Sequence, residues 1–434
     1  MRDNLARRLN SRLPIIASLE AYEESNNSLT CINLSIPDEI KNNTDEIDNN
    51  HLEILTDTEA LEKNLGYNDE LEVHKNILED SIISNESLNT RSAELLKSRL
   101  ESLYSKLNIS QDNVMPSLES FNSSDSLYAT KITLESLTEN LSKGWDNTVS
   151  GLKSLKNKVS DSITKIMSQN TAIQNHANEI ITKAKKIKSH PKNNTISSLS
   201  VVKAFGFKEK PTVKSIEELL DIQGKETNEI TSKSVEYIAD AFLNITSFIN
   251  PKKMNNRQLT IQEYIQGIAR TNEIYSSRFK SGNKVTKAGL TEIKYSLIVN
   301  GKEPVIIFSR AKLNFKLDSI SAKVSDKALE TLSTEDIINL SKAIIGFSKQ
   351  TENSKKYVKQ WIDCLDTAIK EFDKMPKENN KEKNKLLNRI KSDGLASLYG
   401  ANKAIQTMLA LNNQAAEKVL EYVTLSLNQY PENN

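Results

Sequence analysis

The sequence predicts a mainly α-helical protein of the α+β type, with one long amphipathic or coiled-coil helix and a small three-stranded antiparallel meander. Glycine and proline are scarce, at 12 and 9 in 434 residues, which favours long helices over turn-rich β architecture. Apolar residues recur at heptad spacing over residues 145–187, and one short region, at about 290–318, alternates with the period of a β-strand.

The sequence of residues 1–119 predicts an acidic segment that is partly disordered or loosely helical. Its aromatic content is low, and its dense carboxylates and many Asn and Ser residues disfavour a stable core. Short amphipathic helices are expected at Thr58–Leu65 and Glu70–Ile83. Leucines three and four residues apart predict a further helix at Ser92–Leu107, and Met115-Pro116 then interrupts the chain.

Residues 120–200 contain the clearest periodicity in the sequence. From Trp145 to Ile187 apolar positions alternate in steps of four and three, interrupted only by Lys156 and Asn170. Six such heptads predict one long amphipathic helix, or a coiled-coil or hairpin segment. Residues 136–200 hold ten Lys against four acidic residues, so the solvent face is basic. The apolar stripe is called the helix seam here and includes Trp145, Val149, Leu152, Val159, Ile163 and Ile166.

Residues 201–434 predict a helical body that contains the meander. Three helices are expected before it, at Ile216–Leu220, Val235–Ile249 and Ile261–Phe279. Ser333, followed by two acidic residues, predicts the start of another helix after it.

The meander is predicted from alternating apolar residues. They begin at Ile293–Val299, and Asn300-Gly301 supplies the positive φ angles of a tight turn. Val305–Phe308 and Leu313–Leu317 are the other two predicted strands.

The formal net charge of +1 hides a strong asymmetry. Residues 1–19 hold four Arg and one Asp, a net +3, whereas residues 20–119 hold 22 acidic against seven basic side chains, a net −15. The remaining residues, 120–434, therefore carry +13. Two interpretations stay open: two solvated surfaces without functional meaning, or an acidic segment that masks the basic body and is later removed.

Motifs for catalysis or for cofactor binding do not occur. No G-x-x-x-x-G-K-[ST], G-x-G-x-x-G or G-x-S-x-G sequence is present, so neither a phosphate-binding loop nor a serine nucleophile is expected. Cys31 and Cys364 are far apart, and Cys364 fits a small buried thiol. His176 and His190 are expected to be solvated. No cofactor, no metal site, no enzymatic activity and no integral membrane segment are predicted.

Three glutamates share a local pattern. Glu20, Glu119 and Glu135 each follow a small residue by two positions and an apolar residue by one, and each precedes a small residue. Such a site suits a protease that binds an extended segment and reads small or apolar side chains. A looser small-x-Glu pattern recurs at Ser84-Asn85-Glu86, Ser92-Ala93-Glu94, Ser215-Ile216-Glu217 and Ala328-Leu329-Glu330.

The sequence around Glu119 and Glu135 resembles that of a known protein family. Leu103-Tyr104-Ser105-Lys106-Leu107, Met115–Phe121, Ala129-Thr130 and Leu134–Leu137, followed by a Lys-rich helix that starts at a Trp, resemble the internal head proteins of large myophages. The resemblance covers about residues 103–165. It implies a structural protein of the prohead core, located inside the phage head, whose partners are other head proteins and a capsid maturation protease that cuts after Glu. Residues 120–200 would then include the processing region.

The resemblance links cleavage to charge. A cut after Glu119 would leave residues 120–434 at +13, and a cut after Glu135 would leave 136–434 at +14. Such a body favours non-specific contact with double-stranded DNA by counterion release. The candidate DNA-facing residues are Lys153, Lys158, Lys165, Lys183, Lys185, Lys186 and Lys188.

Two alternatives from other functional classes stay open. One is a host-directed effector that is ejected with the genome into the host cytoplasm. The other is a membrane-active protein in which the Trp145–Ile187 helix lies at the lipid interface.

Overall fold

The computed structural model is mainly α-helical, which confirms the predicted fold class. It describes residues 31–111, 114–122, 124–197, 212–249, 284–285, 291–299, 311–319, 328–373 and 381–432, with short pieces of 262–274. The helices are α1 (Asp38–Ile83), α2 (Thr90–Lys106), α3 (Ser126–Ala184), α4 (Val213–Ile249), α5 (Thr334–Asn353), α6 (Lys355–Asp373) and α7 (Lys381–Leu427). The strands are β1 (Thr195–Ser197), β2 (Lys284–Val285), β3 (Thr291–Val299), β4 (Ala311–Ser319) and β5 (Ala328–Glu330).

Helix α1 is one continuous helix of 46 residues, where the sequence predicted two short helices in a loosely helical segment. Ile40, Ile47, Ile54 and Leu61 recur every seven residues, and all four are buried. Seven residues are close to two helical turns, so this spacing keeps one face of the helix in contact with a neighbour. For residues 38–83, the expectation of a segment without a stable core is therefore corrected by the structure.

Helix α3 lies antiparallel to α1 and is the longest of the described elements, at 59 residues or about 88 Å. At one end of the pair, the Asn68 side chain donates a 3.0 Å hydrogen bond to the Thr148 hydroxyl. At the other end, the Gln169 amide donates a 2.8 Å hydrogen bond to the Thr44 hydroxyl. The contacts run in opposite directions along the two helices, which fixes their antiparallel register.

Helices α1 and α2 both end in a Schellman motif in which asparagine takes the left-handed position. Asn85 and Asn108 each have a φ angle of 55°. After α1 the Glu86 amide donates to the Ser81 carbonyl at 2.8 Å, and after α2 the Ile109 amide donates to the Tyr104 carbonyl at 2.9 Å. These bonds satisfy the last carbonyls of each helix, and they turn the chain into the two connections that follow.

The hydrophobic core combines all three parts of the chain that the sequence distinguished. One cluster of buried residues draws on α1, α2, α3, α4, α6 and α7, and a second draws on the α3 C-terminal half, α5 and the α7 C-terminal half. Helix α5 begins as predicted, because the Ser333 hydroxyl accepts a 3.1 Å hydrogen bond from the Asp336 amide. The acidic helix α1 therefore shares its core with the basic body.

The described strands form two small antiparallel sheets. β2, β3 and β4 are neighbours in chain order and form a three-stranded antiparallel meander, but its central strand is β3, where the sequence predicted Val305–Phe308. Its first strand is β2, and the predicted strand Val305–Phe308 and the Asn300-Gly301 turn lie outside the described residues. β1 pairs with β5 in the second sheet.

Candidate processing segment and basic helix surface

Glu119 lies on an exposed 3-10 helix, Leu118–Asn122, in the connection between α2 and α3. This short helix is anchored by Phe121, which is buried in a small cluster with Ala93 and Ala129. The Ser120 amide donates a 3.0 Å hydrogen bond to the Ser117 carbonyl. Only a five-residue element must open for the Glu119–Ser120 bond to adopt an extended conformation.

The other two candidate glutamates are placed differently. Glu135 has an exposed side chain, but its backbone lies inside α3 and both Thr133 and Leu137 are buried. Cleavage after Glu135 requires the first turns of α3 to unfold. Glu20 lies outside the described residues. Among the looser matches, Glu86 lies in the exposed connection between α1 and α2.

Limited digestion with a glutamate-specific protease should distinguish these sites. In native buffer we expect cuts after Glu86 and Glu119 to precede the cut after Glu135 by about tenfold in rate, because non-helical connections open locally at lower cost than a helix interior. Peptide mapping over a time course measures the three rates. In urea the difference should disappear, whereas equal rates for Glu119 and Glu135 in native buffer would contradict the assignment.

The helix seam of α3 packs inside the protein. Trp145, Val149, Leu152, Val159, Ile163 and Ile166 are all at most 8% exposed. The polar exception Lys156 forms an ion pair with Asp366 of α6 at 2.6 Å, and Asn170 is buried. The apolar face that an interfacial helix would present to lipid is thus occupied by other helices of the chain.

Two of the seven candidate lysines face carboxylates of α1. Lys158 contacts Asp57 at 2.8 Å and Glu53 at 3.5 Å, and Lys165 contacts Glu46 at 2.8 Å. The hydrogen bond that Lys158 donates to Asp57 raises the pKa of Lys158 above its usual value. These pairs are partly exposed, so each contributes little to stability on its own. Their effect is to cover positive charge on α3 with negative charge from α1.

The remaining lysines are more open. Lys183 pairs with Glu179 of its own helix at 2.9 Å, while Lys153, Lys185, Lys186 and Lys188 are exposed. Three of these exposed lysines follow the last residue of α3, where the negative end of the helix dipole favours cations. A basic surface of Lys183, Lys185, Lys186 and Lys188 therefore lies at the C-terminal end of α3, beyond the ion pairs with α1.

Partly buried ionisable groups also lie between α1 and α7. Burial raises the pKa of Asp48 to about 6, although Gln414 donates it a 2.9 Å hydrogen bond, and burial also raises the pKa of Glu417. Burial lowers the pKa of His51 to about 4. Above pH 6 the folded chain holds a desolvated Asp48 carboxylate, which the unfolded chain would solvate, so this group costs stability.

Asp48→Asn should therefore stabilise the protein at neutral pH. We expect a gain of about 2 kcal/mol at pH 7.5, which fades as the pH falls from 6 toward 4 because Asp48 of the original chain then becomes protonated in the fold. The cost of His51 has the opposite pH dependence. Because the fold lowers its pKa, His51 costs stability below pH 6.5, and it does so in both proteins. Urea denaturation at pH 7.5 and at pH 4 measures the effect, with exposed Asp146→Asn as control. A loss of stability at pH 7.5 would refute the assignment.

The described residues contain no group of His, Cys, Asp and Glu that could hold a metal ion. The described helices do not include one with the length and the hydropathy of a membrane-spanning segment. Burial raises the pKa of the Cys364 thiol to about 11, so that it stays protonated at neutral pH. His176, expected to be solvated, is instead only 4% exposed, because it lies on the face of α3 that packs in the bundle.

Comparison with known protein families gives a match over most of the chain. A family model described as phiKZ-like phage internal head proteins matches residues 38–430. The match begins at the first residue of α1, so it includes the acidic helix as well as the basic body. Neither the curated proteins nor the solved structures contain a match to this chain.

Proposed function

Because the chain belongs to the family of phiKZ-like phage internal head proteins, we propose that it is cut after Glu119 during head maturation and contacts packaged DNA through its basic surface. Family membership makes it a structural protein located inside the phage head, together with other head components. The cut, the capsid maturation protease that makes it and the DNA contact are the proposed part. Ejection with the genome and a host target are further hypotheses.

The exposed 3-10 helix around Glu119 is the observation that carries the proposed cut. Glu119 combines the small-x-Glu pattern, a side chain exposed to solvent and a short connection between two helices. A protease that adds the substrate as an extended strand needs such a local opening. Glu135 matches the sequence pattern, but its position inside α3 supports it less.

The surface at the C-terminal end of α3 supports the DNA contact. Lys185, Lys186 and Lys188 are exposed within four residues of one another. Ammonium groups at this spacing can neutralise neighbouring phosphates without reading the base sequence. Lys158 and Lys165 would join them only if α1 were removed, because carboxylates of α1 pair with both.

Charge reversal tests the DNA contact in the full chain. We expect Lys185→Glu, Lys186→Glu and Lys188→Glu together to weaken binding of a double-stranded DNA about a hundredfold at 0.1 M salt and to reduce the salt slope by about 3, since each phosphate contact contributes about 0.9. Gel-shift titrations across salt measure both quantities. Reversal of exposed Lys342, Lys349 and Lys359 on α5 and α6 is the matched control. Equal losses of DNA affinity in both triple variants would contradict the proposed surface, because they would show that binding depends only on the net charge of the protein.

A further inference from the structure

The N-terminal side of the proposed cut contributes a large part of the shared core. α1 buries Ile47, Ile54, Leu61 and Leu71 in the same cluster as α3 and α7, and each of these four side chains is at most 5% exposed. On α2 the buried residues include Leu100, Leu103 and Tyr104. Breaking the Glu119–Ser120 bond leaves all of these contacts in place, so separating the fragments would expose the apolar faces of both to water.

Buried hydrogen bonds connect the two sides of the cut along the whole of α1. Gln169 donates to the Ile40 carbonyl at 2.9 Å, and Asn68 donates to the Thr148 hydroxyl at 3.0 Å. From α7, Asn402 donates to the Thr58 hydroxyl at 3.2 Å. Separation would leave buried donors and acceptors without partners until water replaced them.

Close helix packing adds to these bonds. Built at Gly151, a Cβ atom would lie 2.5 Å from a methyl carbon of Leu61, and at Gly144 it would lie 2.3 Å from the Asn68 side-chain oxygen. Glycine at these two positions, seven residues apart on α3, lets α1 approach closely. The shape of α3 is therefore complementary to that of α1.

Opposite net charges and contacts near the chain termini also favour association of the two fragments. Residues 1–119 carry a net charge of −12 against +13 for residues 120–434, so the two fragments attract each other. At the far end of the N-terminal fragment, the Ile32 amide donates to the Tyr430 carbonyl at 2.9 Å. The Leu34 backbone exchanges two hydrogen bonds with the Asn428 side chain, at 2.9 and 2.7 Å.

From these contacts we infer that the N-terminal fragment, residues 1–119, stays bound to residues 120–434 after the cut, so that the mature body has as its partner a fragment of the same chain. The inference rests on the cut proposed above. It has a consequence for DNA binding, because the carboxylates of α1 continue to cover Lys158 and Lys165. Cleavage alone does not expose the full +13 charge, and a separate step that removes the fragment is needed for that.

An engineered cut tests this inference. A recognition sequence for a site-specific protease is inserted after Glu119 of the full chain, and the purified protein is cut and analysed by size-exclusion chromatography. We expect both fragments to elute together at the position of the uncut chain and to separate only in denaturant. Elution of the N-terminal fragment by itself in native buffer would overturn the inference.

A pair of glycine variants sharpens the test. Gly151→Leu in the cut protein should increase the free N-terminal fragment at least tenfold on dilution, whereas Gly66→Leu on the exposed face of α1 should not change it. An unchanged fraction in the Gly151→Leu protein would contradict the packing argument. The added protease makes the cut in this experiment, so its result does not depend on cleavage in the phage head. The fragments can separate although the natural cut occurs, and they can stay together although it does not.

Discussion

Replacing both Ile47 and Ile54 by alanine is expected to lower the free energy of unfolding by roughly 6 kcal/mol, because each substitution removes a fully buried side chain and leaves a cavity. Ile47 is 1% exposed and Ile54 is 0% exposed, and both lie in the main core cluster. A loss of this size is a large fraction of the stability of an ordinary domain. Urea denaturation followed by circular dichroism measures it.

The matched control lies on the same helix. Val73 and Ile77 are 55% and 53% exposed, so replacing both by alanine should change stability by less than about 1 kcal/mol. If instead the two double variants were equally stable, α1 would be the loosely packed segment that its composition predicts. The comparison therefore decides whether the acidic helix is a structural part of the body.

The second large effect is expected from the glycines on α3. Gly144→Leu together with Gly151→Leu should destabilise the protein by roughly 4 kcal/mol, because the new side chains must displace Asn68 and Leu61 from the contact between α1 and α3. The same assay measures this loss. Ion pairs of Lys158 and Lys165 with α1 should weaken with it, since they depend on the same helix separation.

Two other glycines provide controls of identical chemistry. Nothing lies within 4 Å of a Cβ atom built at Gly66 or Gly346, which are in α1 and α5. Leucine there should be neutral or stabilising by up to about 0.8 kcal/mol, because leucine is the better helix former. Destabilisation of the Gly66 and Gly346 variants to the same extent would show that the effect does not come from close packing of α1 on α3.

The sequence predicted the helices that are marked by a regular apolar stripe or by a capping residue. α2 was located within two residues, the start of α5 was predicted from Ser333, and the seam of α3 is buried. α1 was predicted only in part, as two short helices within residues 58–83, because the face of α1 that carries Thr44 and Thr58 is polar. In the structure the Thr44 and Thr58 hydroxyls donate to carbonyls of α1 and accept hydrogen bonds from Gln169 and Asn402. Composition describes such a helix as disordered, although the seven-residue spacing of its isoleucines is visible in the sequence.

The candidate site was only partly predictable, because local sequence places Glu119 but does not show which distant residues come into contact. The position of Glu119 in a short connection follows from Pro116 and the polar residues after it. The pairing of Lys158 with Asp57, and of Lys165 with Glu46, depends on the antiparallel register of two helices about a hundred residues apart in sequence. Charge sums indicated that masking could occur, but the register decides which lysines are covered.

Mass spectrometry of protein N-termini from purified phage particles tests the central proposal most directly. We expect mature heads to contain a chain whose first residue is Ser120, generated by a cut after Glu119. Particles that contain the protein only as the uncut chain from Met1 would contradict it.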